Sequence, residues 1–142
     1  MVKTCLIAYT KTFSGREMGK LKAEIKSIYR HLHQPSYIVL GSTAGAAEYQ
    51  RDSLGEFVKQ LDDHNGRVFY KQRHTEGNRT SYLYYNRYCN RWCVGDTLDG
   101  RYACKLENKQ NTELPPTTGW KYSDGSNMCD NDPTLVLEYI YI

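Results

Sequence analysis

Residues 62–86 read DDHNGRVFYKQRHTEGNRTSYLYYN, and the architecture turns on them. Asn65-Gly66 is a turn dipeptide, because both residues tolerate the positive φ that a two-residue hairpin demands. The segments on either side, SLGEFVKQLD and RVFYKQ, are short enough to be its two strands. The first carries Gly55, so a bulge or kink is expected there. In TSYLYYN, an extended chain would aim Tyr82 and Tyr84 to one side and Leu83 and Tyr85 to the other. Tyrosine suits a half-buried pleated surface: its ring covers apolar area while its hydroxyl reaches a polar partner.

The pattern continues outward. SYIVLGS, RWCVGD, YACKLEN, WKYSDGS and TLVLEYIYI read as further short strands, with Asp99-Gly100 as a second turn. TAGAAEYQRD is small and polar and reads as a loop. KQNTELPPTTG is irregular, since Pro115-Pro116 excludes helix. On the N-terminal side, residues 2–9 suit a short strand, and residues 15–33 predict a helix. Ser14 and Glu17 form a capping box, Pro35 ends the segment, and Met18, Leu21, Ile25, Ile28, Tyr29 and Leu32 fall on one apolar stripe. That stripe needs a packing surface, either the following module or a partner. The expected class is therefore mainly β: a small antiparallel β-sandwich or barrel-like meander with one N-terminal amphipathic helix.

Charge divides the chain in the same place. Residues 1–36 carry seven Lys/Arg against Glu17 and Glu24, a net +5, while residues 37–142 carry twelve against fourteen Asp/Glu, a net −2. The expected organisation is a strand and basic helix over 1–36 and a β module over 37–142. A slightly acidic module argues against nucleic acid. No apolar run approaches the ~20 residues that cross a bilayer, and the CLIA patch near the N-terminus is too short for a signal-peptide core. The chain is then either cytosolic or a piece of a longer secreted protein.

Five cysteines, Cys5, Cys89, Cys93, Cys104 and Cys129, lack zinc-site spacing. Two disulfides would suit an oxidising compartment. In an extended strand Cys89 and Cys93 would lie ~13 Å apart, beyond bridging distance, unless the chain turns at Asn90. That leaves Cys89–Cys104 with Cys93–Cys129, or Cys93–Cys104 with Cys89–Cys129. The second is preferred, because Cys93 and Cys104 flank the Asp99-Gly100 turn; Cys5 stays free.

Signs of chemistry are sparse. Asn78-Arg79-Thr80 is an N-glycosylation sequon. Asp124, Asn127, Asp130 and Asp132 supply hard oxygens, but Asp-Gly and Asn-Asp-Pro are ordinary turn chemistry and the spacing is not an EF-hand, so no metal is expected. His64 and His74 could pair with a cysteine as base and nucleophile, yet no orienting acid or oxyanion loop is recognisable, and both read as surface histidines. No phosphate loop or hydrolase motif is present, and no cofactor is implied. Aromatic rings also stack on ligands, and Tyr82, Tyr84, Trp92, Trp120 and Tyr122 are the candidate binding set.

The run GEF, HNGRVFYKQ, YLYY, RWCVGDTLDG, ELPP, WKYSDGS and TLVLEY, from Gly55 to Tyr139, resembles a module of roughly a hundred residues. That module recurs, often in tandem, in large extracellular proteins of cnidarians, lancelets, molluscs and fish. The resemblance covers well over half the chain. It implies a β fold in a secreted or extracellular setting and carries no catalytic residues. Two features depart from it: no tryptophan stands near Met128-Cys129, and the helix before Pro35 lies outside it. The expectation is a non-enzymatic module that binds a glycan or an extracellular protein. The alternatives are a structural unit of a secreted assembly and a small enzyme.

Overall fold

The computed structural model describes residues 14–73, 79–100 and 104–142. The chain divides into two units, one ending at His33 and one running from Gln34 to Ile142. The strand expected over residues 2–9 lies outside the described residues, as do Cys5, His74 and Asn78.

The first unit contains α1, Gly15–His33. Its start is the expected capping box: the Glu17 amide donates to Ser14 Oγ (3.2 Å), and the Ser14 amide donates to Glu17 Oε2 (3.3 Å). Among its residues none is buried; Met18 and Leu21 of the apolar stripe are partly covered, and Ile28, Tyr29 and Leu32 are exposed.

The second unit is a single nine-stranded antiparallel sheet. Its strands are β1 (Tyr37–Gly41), β2 (Gly55–His64), β3 (Arg67–Gln72), β4 (Tyr82–Asn86), β5 (Arg91–Gly95), β6 (Leu106–Asn108), β7 (Lys121–Ser123), β8 (Met128–Cys129) and β9 (Val136–Ile140). Neighbours run in the order β8-β7-β6-β5-β4-β3-β2-β1-β9. The chain meanders from β1 to β8, and the last strand returns to pair with the first. This return forces curvature. From Cys129 to Val136 the chain spans at most ~25 Å, whereas the edges of a flat nine-stranded sheet would lie ~38 Å apart. The sheet therefore curls into a half-barrel, which is the barrel-like form of the expected fold rather than a two-sheet sandwich. The long connection between β6 and β7 helps close the gap: the Leu137 amide donates to Thr117 O (2.9 Å) and the Tyr139 hydroxyl to Pro115 O (2.6 Å).

Alternation then sorts side chains onto two faces. Ile38, Leu40, Phe57, Val68, Tyr70, Leu83, Tyr85, Trp92, Val94, Leu106, Tyr122 and Leu137 belong to one buried cluster. A single cluster drawing on eight of the nine strands is possible only on the inside of the curl. Tyr70, fully buried, donates its hydroxyl to Pro35 O, and burial pushes its phenol well above the usual range. Tyr82 and Tyr84 point the other way, as the YLYY alternation predicts.

Two details differ from the sequence reading. Gly55 opens β2 with φ +100°, and the irregularity falls further along, between Lys59 and Asp63. The segment expected as a loop at TAGAAEYQRD folds into α2 (Gly45–Tyr49) and a 3₁₀ turn (Arg51–Ser53). Gly45 permits this, because a Cβ there would overlap the Tyr122 hydroxyl.

The β2–β3 hairpin closes as expected. His64 pairs with Arg67 across Asn65 (φ 52°) and Gly66 (φ 73°), both in the left-handed region that a two-residue primed turn requires. A side chain at Gly66 would meet open space, so substitution there tests backbone strain alone. Gly66→Val is expected to destabilise by ~1 kcal/mol or more in urea unfolding, and an unchanged midpoint would contradict the turn.

Candidate functional site

The expected aromatic platform is largely interior. Trp92, Trp120 and Tyr122 are buried in the core, and Tyr84 is fully buried on the opposite face. Their polar atoms are engaged within the fold: Trp92 Nε1 donates to Thr112 O (3.2 Å), Trp120 Nε1 to Pro116 O (2.6 Å) and Tyr122 Oη to Asn131 Oδ1 (2.6 Å). These rings pack the module, because a small curled sheet needs large side chains to fill it. Tyr82 is half-buried, with its ring 6.5 Å from that of Phe69.

Open space lies instead around the β6–β7 connection. A cleft of about 490 Å³ is lined by Thr118, Gly119, Trp120, Lys121, Asp130, Asp132, Pro133 and Leu135. A second, of about 270 Å³, is lined by Asn108, Lys109, Gln110, Gly119 and Lys121, so the two share Gly119 and Lys121. Gly119 adopts φ +84°, and a Cβ there would press on Gln110 Nε2. Asn108 Nδ2 and Gln110 Nε2 both donate to Thr118 O, which holds this wall in place. Among the described residues, no ion pair or hydrogen bond occupies Lys121 Nζ or the Asp130 carboxylate.

Asp132 is different, because its carboxylate is spent. It accepts from the Ser42 hydroxyl, the Ala46 amide (3.0 Å), the Thr134 amide (2.9 Å) and the Thr134 hydroxyl. It thereby clamps α2 and β1 to the β8–β9 connection. Asp124 Oδ1 accepts from the Ser126 and Asn127 amides, which is a turn, not a ligand set.

A second cluster occupies the outer face of β4 and β5. Cys93 is bonded to Cys104, with Cα atoms 5.4 Å apart, as the preferred pairing predicts. The accompanying Cys89–Cys129 bridge is corrected: both cysteines are free. Cys129 sits on β8, three strand intervals of ~4.8 Å beyond β5, so its sulfur is out of reach of the β4–β5 turn. Cys89 lies in that turn instead, and the sulfurs of Cys89, Cys93 and Cys104 are all within 4.8 Å of one another.

His64 belongs to the same face. Its Nε2 lies 2.9 Å from Asp99 Oδ2, at ion-pair distance but without hydrogen-bond alignment. Its ring meets Phe69 and Tyr84 edge-on. Asp99 also accepts from Asn65 Nδ2 (3.0 Å), so it braces the hairpin turn. No acid for His64 is recognisable from sequence; Asp99 is that acid, thirty-five positions away and signalled only by its own turn glycine.

No protein-family model, curated protein or solved structure matches this chain.

Burial pushes the Asp132 carboxyl up, but Ser42, Thr134 and the Ala46 amide outweigh it and hold it below the usual carboxylate range. A depressed folded-state value gives stability that is present above the ordinary carboxylate pKa and lost as pH falls through the folded one. Asp132→Asn is expected to cost about 1–3 kcal/mol at neutral pH. The gap to wild type should shrink as pH falls from about 5 to below about 3; a gap constant with pH in urea unfolding would contradict the clamp.

Proposed function

We propose that this chain is a non-enzymatic, extracellular β module that binds carbohydrate in the paired clefts meeting at Gly119 and Lys121. The observation that carries this reading is the lining: an unspent ammonium and an unspent carboxylate beside Thr118, Gln110 and Trp120. Sugars offer many hydroxyls that both donate and accept, and such mixed polar walls suit them. The larger volume lies within the ~300–1,000 Å³ range of small-molecule sites. The Cys93–Cys104 bridge supports an oxidising compartment, and the resemblance to a tandem extracellular module points the same way. No helix among the described residues is long and apolar enough to cross a membrane.

A second reading, a structural unit of a secreted assembly, is favoured by the unburied stripe of α1 at Ile28, Tyr29 and Leu32. Sedimentation separates the two: reversible self-association with no glycan binding would support assembly, and a monomer would remove it.

A glycan array probed with the full chain, followed by calorimetric titration of the best hits, tests the first reading. Lys121→Ala and Asp130→Ala are each expected to weaken binding about tenfold, or ~1.4 kcal/mol, with unfolding midpoints unchanged. Silence across the array, or binding indifferent to both substitutions, would overturn it.

A further inference from the structure

Three sulfurs crowd one spot on the outer face, and only two of them are joined. Cys93, in the interior strand β5, is fully buried; Cys89 and Cys104 are half-buried. Residues four apart in a strand would be too distant to interact, but the chain turns over Arg87–Asn90, with Asn90 at φ 51°, before β5 begins. That turn brings Cys89 back over Cys93.

We propose that Cys89, Cys93 and Cys104 form a thiol–disulfide exchange site, in which Cys89 attacks Cys93 Sγ and expels Cys104. The Cys89–Cys93 bond forms, the Cys93–Cys104 bond breaks, the electron pair leaves on Cys104 Sγ, and the proton given up by Cys89 is replaced from solvent at Cys104. One disulfide and one thiol stand on each side, so no outside oxidant or reductant is needed. The direction follows from the leaving group. Expelling Cys93 would place a thiolate in a fully buried position, which burial disfavours; Cys104 can be solvated as it leaves. The product exposes its thiol at Cys104, the sulfur that a second thiol or disulfide can then reach.

The surroundings set the rate. Burial pushes the Cys89 thiol above its ordinary value; Arg91 opposes that, while Glu107 and Asp99 reinforce it. Arg91 is itself held by Glu107 at 2.6 Å, and Asp99 by His64. Burial raises the Tyr84 phenol above its ordinary value, and Cys89 adds to that shift. The nucleophile is the thiolate, so exchange is slow near neutrality and accelerates with rising pH.

Trypsin distinguishes every outcome, because Arg87, Arg91, Arg101 and Lys105 place the three cysteines in separate peptides, 88–91, 92–101 and 102–105. The full chain is held for the same short time at pH 7 and at pH 9, before exchange is complete, then trapped with iodoacetamide and digested without reduction. The expected result is peptide 88–91 joined to 92–101, with alkylated Cys104, in a fraction that rises about tenfold or more between the two pH values and does not depend on protein concentration. Cys89→Ser, which leaves the bridge intact, should yield only 92–101 joined to 102–105 at both. The proposal is overturned if wild type gives that same single product with Cys89 alkylated, if 88–91 is found joined to 102–105, or if the exchanged fraction scales with concentration.

Discussion

The pairing of the last strand with the first governs this module. Each of the five residues of β1 faces a residue of β9, from Tyr37 opposite Ile140 to Gly41 opposite Val136. With β8 and β9 only a short connection apart in sequence, that pairing cannot coexist with a flat sheet. The curl follows, and from it the interior into which Trp92, Tyr70 and Phe57 fit without exposure. The Asp132 clamp and the Leu137–Thr117 bond lie where the curled edges approach each other. They hold the curvature that the pairing imposes.

The tyrosines make sense within that geometry. A half-barrel of short strands has two surfaces to satisfy and few residues to do it with. YLYY gives Leu83 and Tyr85 to the interior and Tyr82 and Tyr84 to the exterior. On the exterior, Tyr84 gains cover from the His64 ring, and Asn86 Nδ2 donates to its hydroxyl at 3.4 Å. A side often left to solvent thus acquires a small second core, pinned by the Cys93–Cys104 bridge and by Asp99.

What could be read from sequence was local. Asn65-Gly66 carries its turn in its own backbone preferences, Ser14 and Glu17 carry theirs three residues apart, and period-two alternation marks most strands. What could not be read depends on partners distant in the chain. TAGAAEYQRD looked like a loop because its residues are small; they are small because Tyr122, seventy-seven positions on, fills the space beside Gly45. β8 is two residues long, too short for any period. Trp92 and Trp120 looked like a binding surface, since an indole that packs and an indole that binds are the same in sequence. The clefts at Gly119 arise from the path of an irregular segment, which no periodicity encodes. Asp99 was legible as a turn residue, but its place against His64 was not, because it rests on two separate turns meeting.

The end-to-start pairing has one further consequence. The Ser36 amide donates to Ile140 O at 2.9 Å, so the backbone arrives at the sheet and departs from it side by side. Placed within a longer polypeptide, a unit wired this way would add almost no length to the path of the main chain. Tension applied at the two ends would load β1 against β9 first, peeling the closing pair bond by bond before any force reached the interior.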